Sequence, residues 1–136
     1  MVECIDQILR IIMEINKWVA VGAMVLGVGV VLGAFGAHGL KSRVSPEMME
    51  IWEKAVSYQM YHGYILILLP VLSRLQFIPE FSVQRLCAVF LFGIVVFSGS
   101  LYLLAFSGIR WLGAITPIGG MSFIVGWMML TYRLLR

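Results

Sequence analysis

"WVAVGAMVLGVGVVLGAFGAHGL", residues 18–40, runs from Lys17 to Lys41 without one Asp, Glu, Lys or Arg. A helix rising about 1.5 Å per residue needs about 20 residues to cross roughly 30 Å of hydrocarbon. The 23 residues from 18 to 40 are enough for one span. The interval recurs along the chain: 19 uncharged residues (55–73) after Lys54, 24 (86–109) after Arg85 and 22 (111–132) after Arg110. Backbone groups in lipid must be satisfied within their own segment, so each span is a helix. The fold expected is all-α, an integral membrane antiparallel four-helix bundle with spans near 18–40, 55–73, 86–109 and 111–132.

Composition agrees. Of the 136 residues 61% are hydrophobic and only 12% charged, whereas a soluble domain carries about a quarter charged residues. Too little polar material remains to cover a water-facing surface, so the lipid bilayer is the first partner implied. The net charge of +3 does not point to nucleic acid, because the basic residues sit at span ends where they snorkel toward phosphates. One membrane domain, 17–136, is expected, preceded by an extension over 1–16. Ile5, Ile8, Leu9, Ile12 and Ile15 recur there at helical spacing, the pattern of an amphipathic interfacial helix. No basic n-region or small-residue cleavage site marks a signal peptide.

The connections are equally readable. In "SRVSPEMMEIWEKAV" (42–56), Ser45 is suited to cap a helix with Pro46 in its first turn and Glu47 at its positive end. A short helix should lie along the outer surface there, with Trp52 as an interfacial anchor, before the chain turns into span two. Pro79 breaks the 75–82 loop, and Pro70 should kink span two. The side holding both termini and this loop carries Arg10, Lys17, Arg74, Arg85, Arg133 and Arg136, against Lys41, Arg43, Lys54 and Arg110 opposite. That balance puts both termini in the cytoplasm. Cys4 and Cys87 have no zinc-like spacing and read as structural thiols facing a reducing compartment.

Polar residues collect in one leaflet. His38 ends span one; Tyr58, Gln59 and His62 share a face of span two; Ser98 and Tyr102 share a face of span three; Thr116 opens span four. His38 and His62, the two histidines of the chain, are expected to approach each other through this cluster. Such a cluster serves either as interhelical hydrogen-bond glue or as a proton-handling or ligand site. Two histidines without a nearby cysteine or buried carboxylate do not make a closed zinc site, and no further signal accompanies bis-histidine haem ligation. No metal and no cofactor are expected. Serine-hydrolase, zinc-protease and phosphate-loop motifs are absent, so neither is an enzyme.

Span one has two small faces. Ala20, Ala23, Gly27 and Ala34 share the His38 side, which would let a neighbouring helix come close. Gly22, Gly29, Gly33 and Gly36 form a second helix-packing line roughly opposite. Its occupant is either another helix of the bundle or another protomer, the latter giving a homo-oligomer with span one at its axis.

In order, "GAFGAHGL", "WEKAVSYQMYHG", "FSGSLYLLA", "ITPIGG" and "GW" resemble the YgdD/YwdK-like family of small four-span membrane proteins, from about Asn16 to Tyr132. The resemblance implies a multi-pass protein of the bacterial cytoplasmic (inner) membrane with no established biochemical activity, and it carries over no catalytic residues. Members typically begin just before the first span, where Met13 stands here, so 1–12 is an extension relative to them. Two functions remain open: a structural or accessory partner of other membrane components, whose identity the sequence does not give, or a small transporter or channel with the polar cluster as its vestibule.

Overall fold

A computed structural model describes residues 2–136, with side chains from Lys17 onward. Helix α1 (Val2–Phe35) continues into a π-helical turn (Gly36–Leu40); α2 is Pro46–Arg74 and α3 Glu80–Ser107; a 3₁₀ turn (Arg110–Ala114) leads into α4 (Thr116–Leu134). Four segments are long and apolar enough to span a membrane: Lys17–Leu40, Pro46–Arg74, Glu80–Ser107 and Arg110–Leu134. The backbone from Val2 is one helix with the first span. The amphipathic face expected over 5–15 lies outside the described side chains.

Local chemistry sets the boundaries. Ser45 Oγ accepts the Met48 N–H at 3.3 Å, with Pro46 in the first turn. Gly108 ends α3 in the left-handed region, φ 70°, and its N–H bonds the Leu104 carbonyl at 2.8 Å, a conformation that glycine adopts without steric cost. The separate surface helix expected in the first outer loop is corrected: Pro46 to Arg74 is one helix, running through Pro70. Trp52 is likewise corrected from interfacial anchor to core residue, 4% exposed. Span four begins with a 3₁₀ turn instead of α-helix, because Pro117 sits in the first turn of α4.

The central pair is α2 and α3, which share fully buried Leu66, Leu69, Leu86, Cys87 and Phe90. Helix α1 packs on α2 and grazes α3, while α4 packs on α3. Among the described residues no Cα of α1 lies within 8 Å of a Cα of α4.

Both outer helices are seated by glycine. A Cβ at Gly22 would meet Ile67, one at Gly29 would meet Met60 and one at Gly33 would meet Val56, while Gly63 of α2 takes Leu26. Along α1 these steps are four, three and four residues; along α2 they are the same in reverse. That is the seam of two antiparallel helices packed at close range. On the other flank Gly126 takes the Phe90 ring, Gly93 takes the Phe123 ring and Gly119 lies on Phe97. Here too the steps, three then four, match in reverse, and each rung joins one glycine to one phenylalanine.

Of the two occupants expected for the Gly22, Gly29, Gly33 and Gly36 line of span one, the structure places α2 of the same chain there. The opposite small face, with Ala20, Ala23, Gly27 and Ala34, is exposed, and a Cβ at Gly27 would meet nothing within 4 Å.

Candidate functional site

The polar residues divide into two groups. The first joins α1, α2 and α3. Gln59, 5% exposed, donates from Nε2 to the Val25 carbonyl at 2.8 Å and accepts at Oε1 from the Tyr102 hydroxyl at 2.8 Å. One heptad earlier on α2, Trp52 donates from Nε1 to the Leu32 carbonyl at 3.0 Å and packs edge-on against Tyr102, with ring centroids 4.7 Å apart.

Glycine makes both bonds available. A helical side chain covers the turn N-terminal to its own Cα, so residue i+4 shields the carbonyl of residue i. Four residues beyond Val25 stands Gly29, and four beyond Leu32 stands Gly36. A Cβ at Gly36 would sit 2.5 Å from the Trp52 indole nitrogen, and one at Gly29 would sit 3.4 Å from Gln59 Nε2. The seven-residue spacing of Gly29 and Gly36 on α1 therefore answers that of Gln59 and Trp52 on α2. Interhelical side-chain bonds in membranes average about 0.6 kcal/mol, with a maximum near 1.7 kcal/mol. This clamp gives the packing its register more than its strength.

The second group joins α2, α3 and α4 around His62, which is 7% exposed. Its ring lies flat on Phe123, with centroids 3.5 Å apart and planes 7° apart. Nδ1 faces the Tyr58 carbonyl at 2.9 Å, and Nε2 faces the Trp127 indole N–H at 3.4 Å. A carbonyl only accepts and an indole N–H only donates, so the pattern assigns the neutral Nδ1–H tautomer. Tyr58 stacks on Phe97 at 4.4 Å, and the Phe90 ring lies 6.0 Å from the imidazole, centroid to centroid. Toward the end of the bundle bearing the 108–115 connection, Ser100 Oγ and Thr116 Oγ1 share a hydrogen bond of 2.8 Å.

The candidates thus fall in five places. Gln59 and Tyr102 form one group; Tyr58 and His62 form another; Ser100 and Thr116 pair beside it. Ser98 is buried, and its hydroxyl has no partner among the described residues. It lines a groove of about 470 Å³ between α1 and α3, together with Val21, Met24, Val28 and Leu91. His38 joins none of these. It lies exposed in the π-turn and makes no hydrogen bond or ring contact among the described residues. The expected approach of His38 to His62 is not made, since every ring packed on His62 comes from α2, α3 or α4. Trp52, Trp127, Phe97 and Phe123 are the partners that sequence reasoning missed. Only the matched heptads of Trp52–Gln59 and Gly29–Gly36 could have signalled any of them.

A family model described as "Protein of unknown function (DUF423)" matches residues 32–120. A UPF0382 membrane protein of Staphylococcus haemolyticus is 50% identical over 113 residues, covering 83% of this chain and 90% of the relative. Another, from Staphylococcus saprophyticus, is 49% identical over 113 residues, covering 83% and 92%. A third, from Staphylococcus epidermidis, is 47% identical over 119 residues, covering 88% and 95%. No solved structure matches the chain.

Proposed function

The chain belongs to the DUF423 family, a family of unknown function, and we propose that it acts without enzymatic activity as a structural or accessory partner of other membrane components. One observation carries this reading. Gln59, Tyr102, Trp52, His62, Trp127, Ser100 and Thr116 direct their hydrogen bonds at one another and at helix carbonyls. Polar groups committed in this way hold helices in register. Gln59 and Tyr102 also reach the groove between α1 and α3 beside Ser98, but the rest of that lining is aliphatic side chains and one glycine, a poor path for a polar solute. The flanking helices α1 and α4 leave their outward faces, with Met24, Val31, Met121 and Met128 exposed, to the bilayer and its other proteins. The setting we assign is the bacterial cytoplasmic membrane with both termini inside, in accord with the excess of basic residues at that end.

Reconstitution tests the reading against transport. Proteoliposomes loaded with a pH-sensitive dye, or supplied with labelled ions and small metabolites, should leak at the rate of protein-free vesicles. Saturable uptake of any solute or of protons, lost on Gln59→Leu or His62→Phe, would overturn it.

A further inference from the structure

At the end of the molecule that carries the 75–79 loop, two arginines face a pocket instead of a carboxylate. Arg133 and Arg136, in and just after the last turn of α4, line a cavity of about 360 Å³ with Gln76, Phe77, Ile78 and Pro79. The Arg133 guanidinium lies 5.2 Å from the centroid of the Phe81 ring, and that of Arg136 lies 4.6 Å from that of Tyr132. A guanidinium held face-on by an aromatic ring keeps its N–H edges free, and those edges match a phosphate. The loop wall is held by a non-glycine residue in the left-handed region, Gln76 at φ 64°. Its side-chain amide bonds the Ser73 carbonyl at 3.4 Å. Neither arginine has an acidic partner within ion-pair distance among the described residues.

The surroundings identify the source of the phosphate. Leu75, Phe77 and Phe81 are 61%, 62% and 64% exposed beside the pocket, at the level where the spans end. A soluble phosphate has no use for that apolar shelf, whereas the acyl chains of a lipid would cover it. The pocket lining holds two cations and no acidic side chain, Glu80 standing next to it in the chain but outside the lining. This also disfavours a zwitterionic headgroup, whose ammonium the cations repel. We propose that this pocket binds the phosphate headgroup of an anionic membrane phospholipid, with its chains lying along Phe77 and Phe81. The shared chemistry is a phosphate between two guanidiniums; the apolar shelf selects the lipid over a free ion.

The test uses the full chain in a neutral detergent, titrated with phosphatidylglycerol, phosphatidylcholine or inorganic phosphate and read as bound adducts by native mass spectrometry. Phosphatidylglycerol should bind in preference to the other two. Arg133→Gln with Arg136→Gln should weaken it about 30-fold, about 2 kcal/mol at roughly 1.4 kcal/mol per tenfold. Arg85→Gln, a change to an exposed basic residue at the same end, should weaken it less than about threefold. Arg133→Lys with Arg136→Lys, which keeps the charge, should fall between. Equal binding of phosphatidylglycerol and phosphatidylcholine, or an equal loss from Arg85→Gln, would overturn the site. Inorganic phosphate binding as well as phosphatidylglycerol would overturn the lipid as its occupant.

Discussion

Gly119→Ala should destabilise the folded chain by about 3 kcal/mol, at the upper end of what overpacking costs. A Cβ at this position would fall on the Phe97 backbone nitrogen, with Phe97 Cα only 2.8 Å away. Backbone cannot rotate aside as a side chain can, so α4 must lift from α3 and the rungs at Gly126–Phe90 and Gly93–Phe123 must open with it. Gly29→Ala should cost less, because its Cβ would meet the flexible Met60 thioether, with Sδ at 2.7 Å. Gly27→Ala and Gly99→Ala set the opposite limit. Neither Cβ would meet anything within 4 Å, and alanine is the better helix former by about 1 kcal/mol, so both should leave stability unchanged or raise it. Unfolding by sodium dodecyl sulfate from mixed micelles, followed by circular dichroism, ranks the four variants. A Gly119→Ala protein as stable as the parent would contradict the packing assigned to the α3–α4 seam.

His62→Ala should cost nearly as much, about 2–4 kcal/mol by analogy with large-to-small core changes. It removes the ring lying 3.5 Å from Phe123, opens a void beside Phe90 and leaves the Trp127 N–H without its acceptor. His62→Phe separates these terms. It restores the stacked ring and forfeits the hydrogen bonds, so its cost should fall to about 0.6–1.7 kcal/mol. His38→Ala should change stability by less than about 0.5 kcal/mol, since it is an exposed site away from such features. The same unfolding measurement applies. If His62→Phe loses as much as His62→Ala, the imidazole is held for its nitrogens and not for its volume. Equal losses at His38 and His62 would mean that the two histidines belong to one cluster after all.

The spans were legible because charge is costly in hydrocarbon: Lys17, Lys41, Lys54, Arg74, Arg85, Arg110 and Arg133 mark where helices leave the membrane. The seams were legible only in part. Gly22, Gly29 and Gly36 repeat every seven residues in plain view, but a missing side chain does not say whose side chain fills the gap. That answer lay on α2, where Gly63 and the larger Ile67, Met60 and Val56 run in reverse step. The candidate site was read from helical angles, and angles mislead in two ways here. Tyr58, Gln59 and His62 do share one face of α2, yet that face looks onto different neighbours, so Gln59 turns to α1 and α3 while His62 turns to α3 and α4. His38 lies within the π-turn Gly36–Leu40, where each residue advances by less than the 100° used to place it. The wider turn changes the phase of every position after Phe35, and no residue between 36 and 40 announces it.

Span one spends its glycine face inside its own bundle, and cross-linking in intact membranes measures this directly. With Cys4 and Cys87 replaced by alanine, a Gly33→Cys, Val56→Cys pair would place the thiols across the α1–α2 seam, where a Cβ at residue 33 would lie 3.6 Å from the Val56 side chain. Mild oxidation should join them within one chain, giving a monomer-sized product that migrates faster than its reduced form. A Val31→Cys, Met128→Cys control, with one thiol on the exposed face of α1 and one on that of α4, should give no such intramolecular product. Covalent dimers from the 33–56 pair, or no product at all, would contradict the account and return the glycine face to a partner outside the chain.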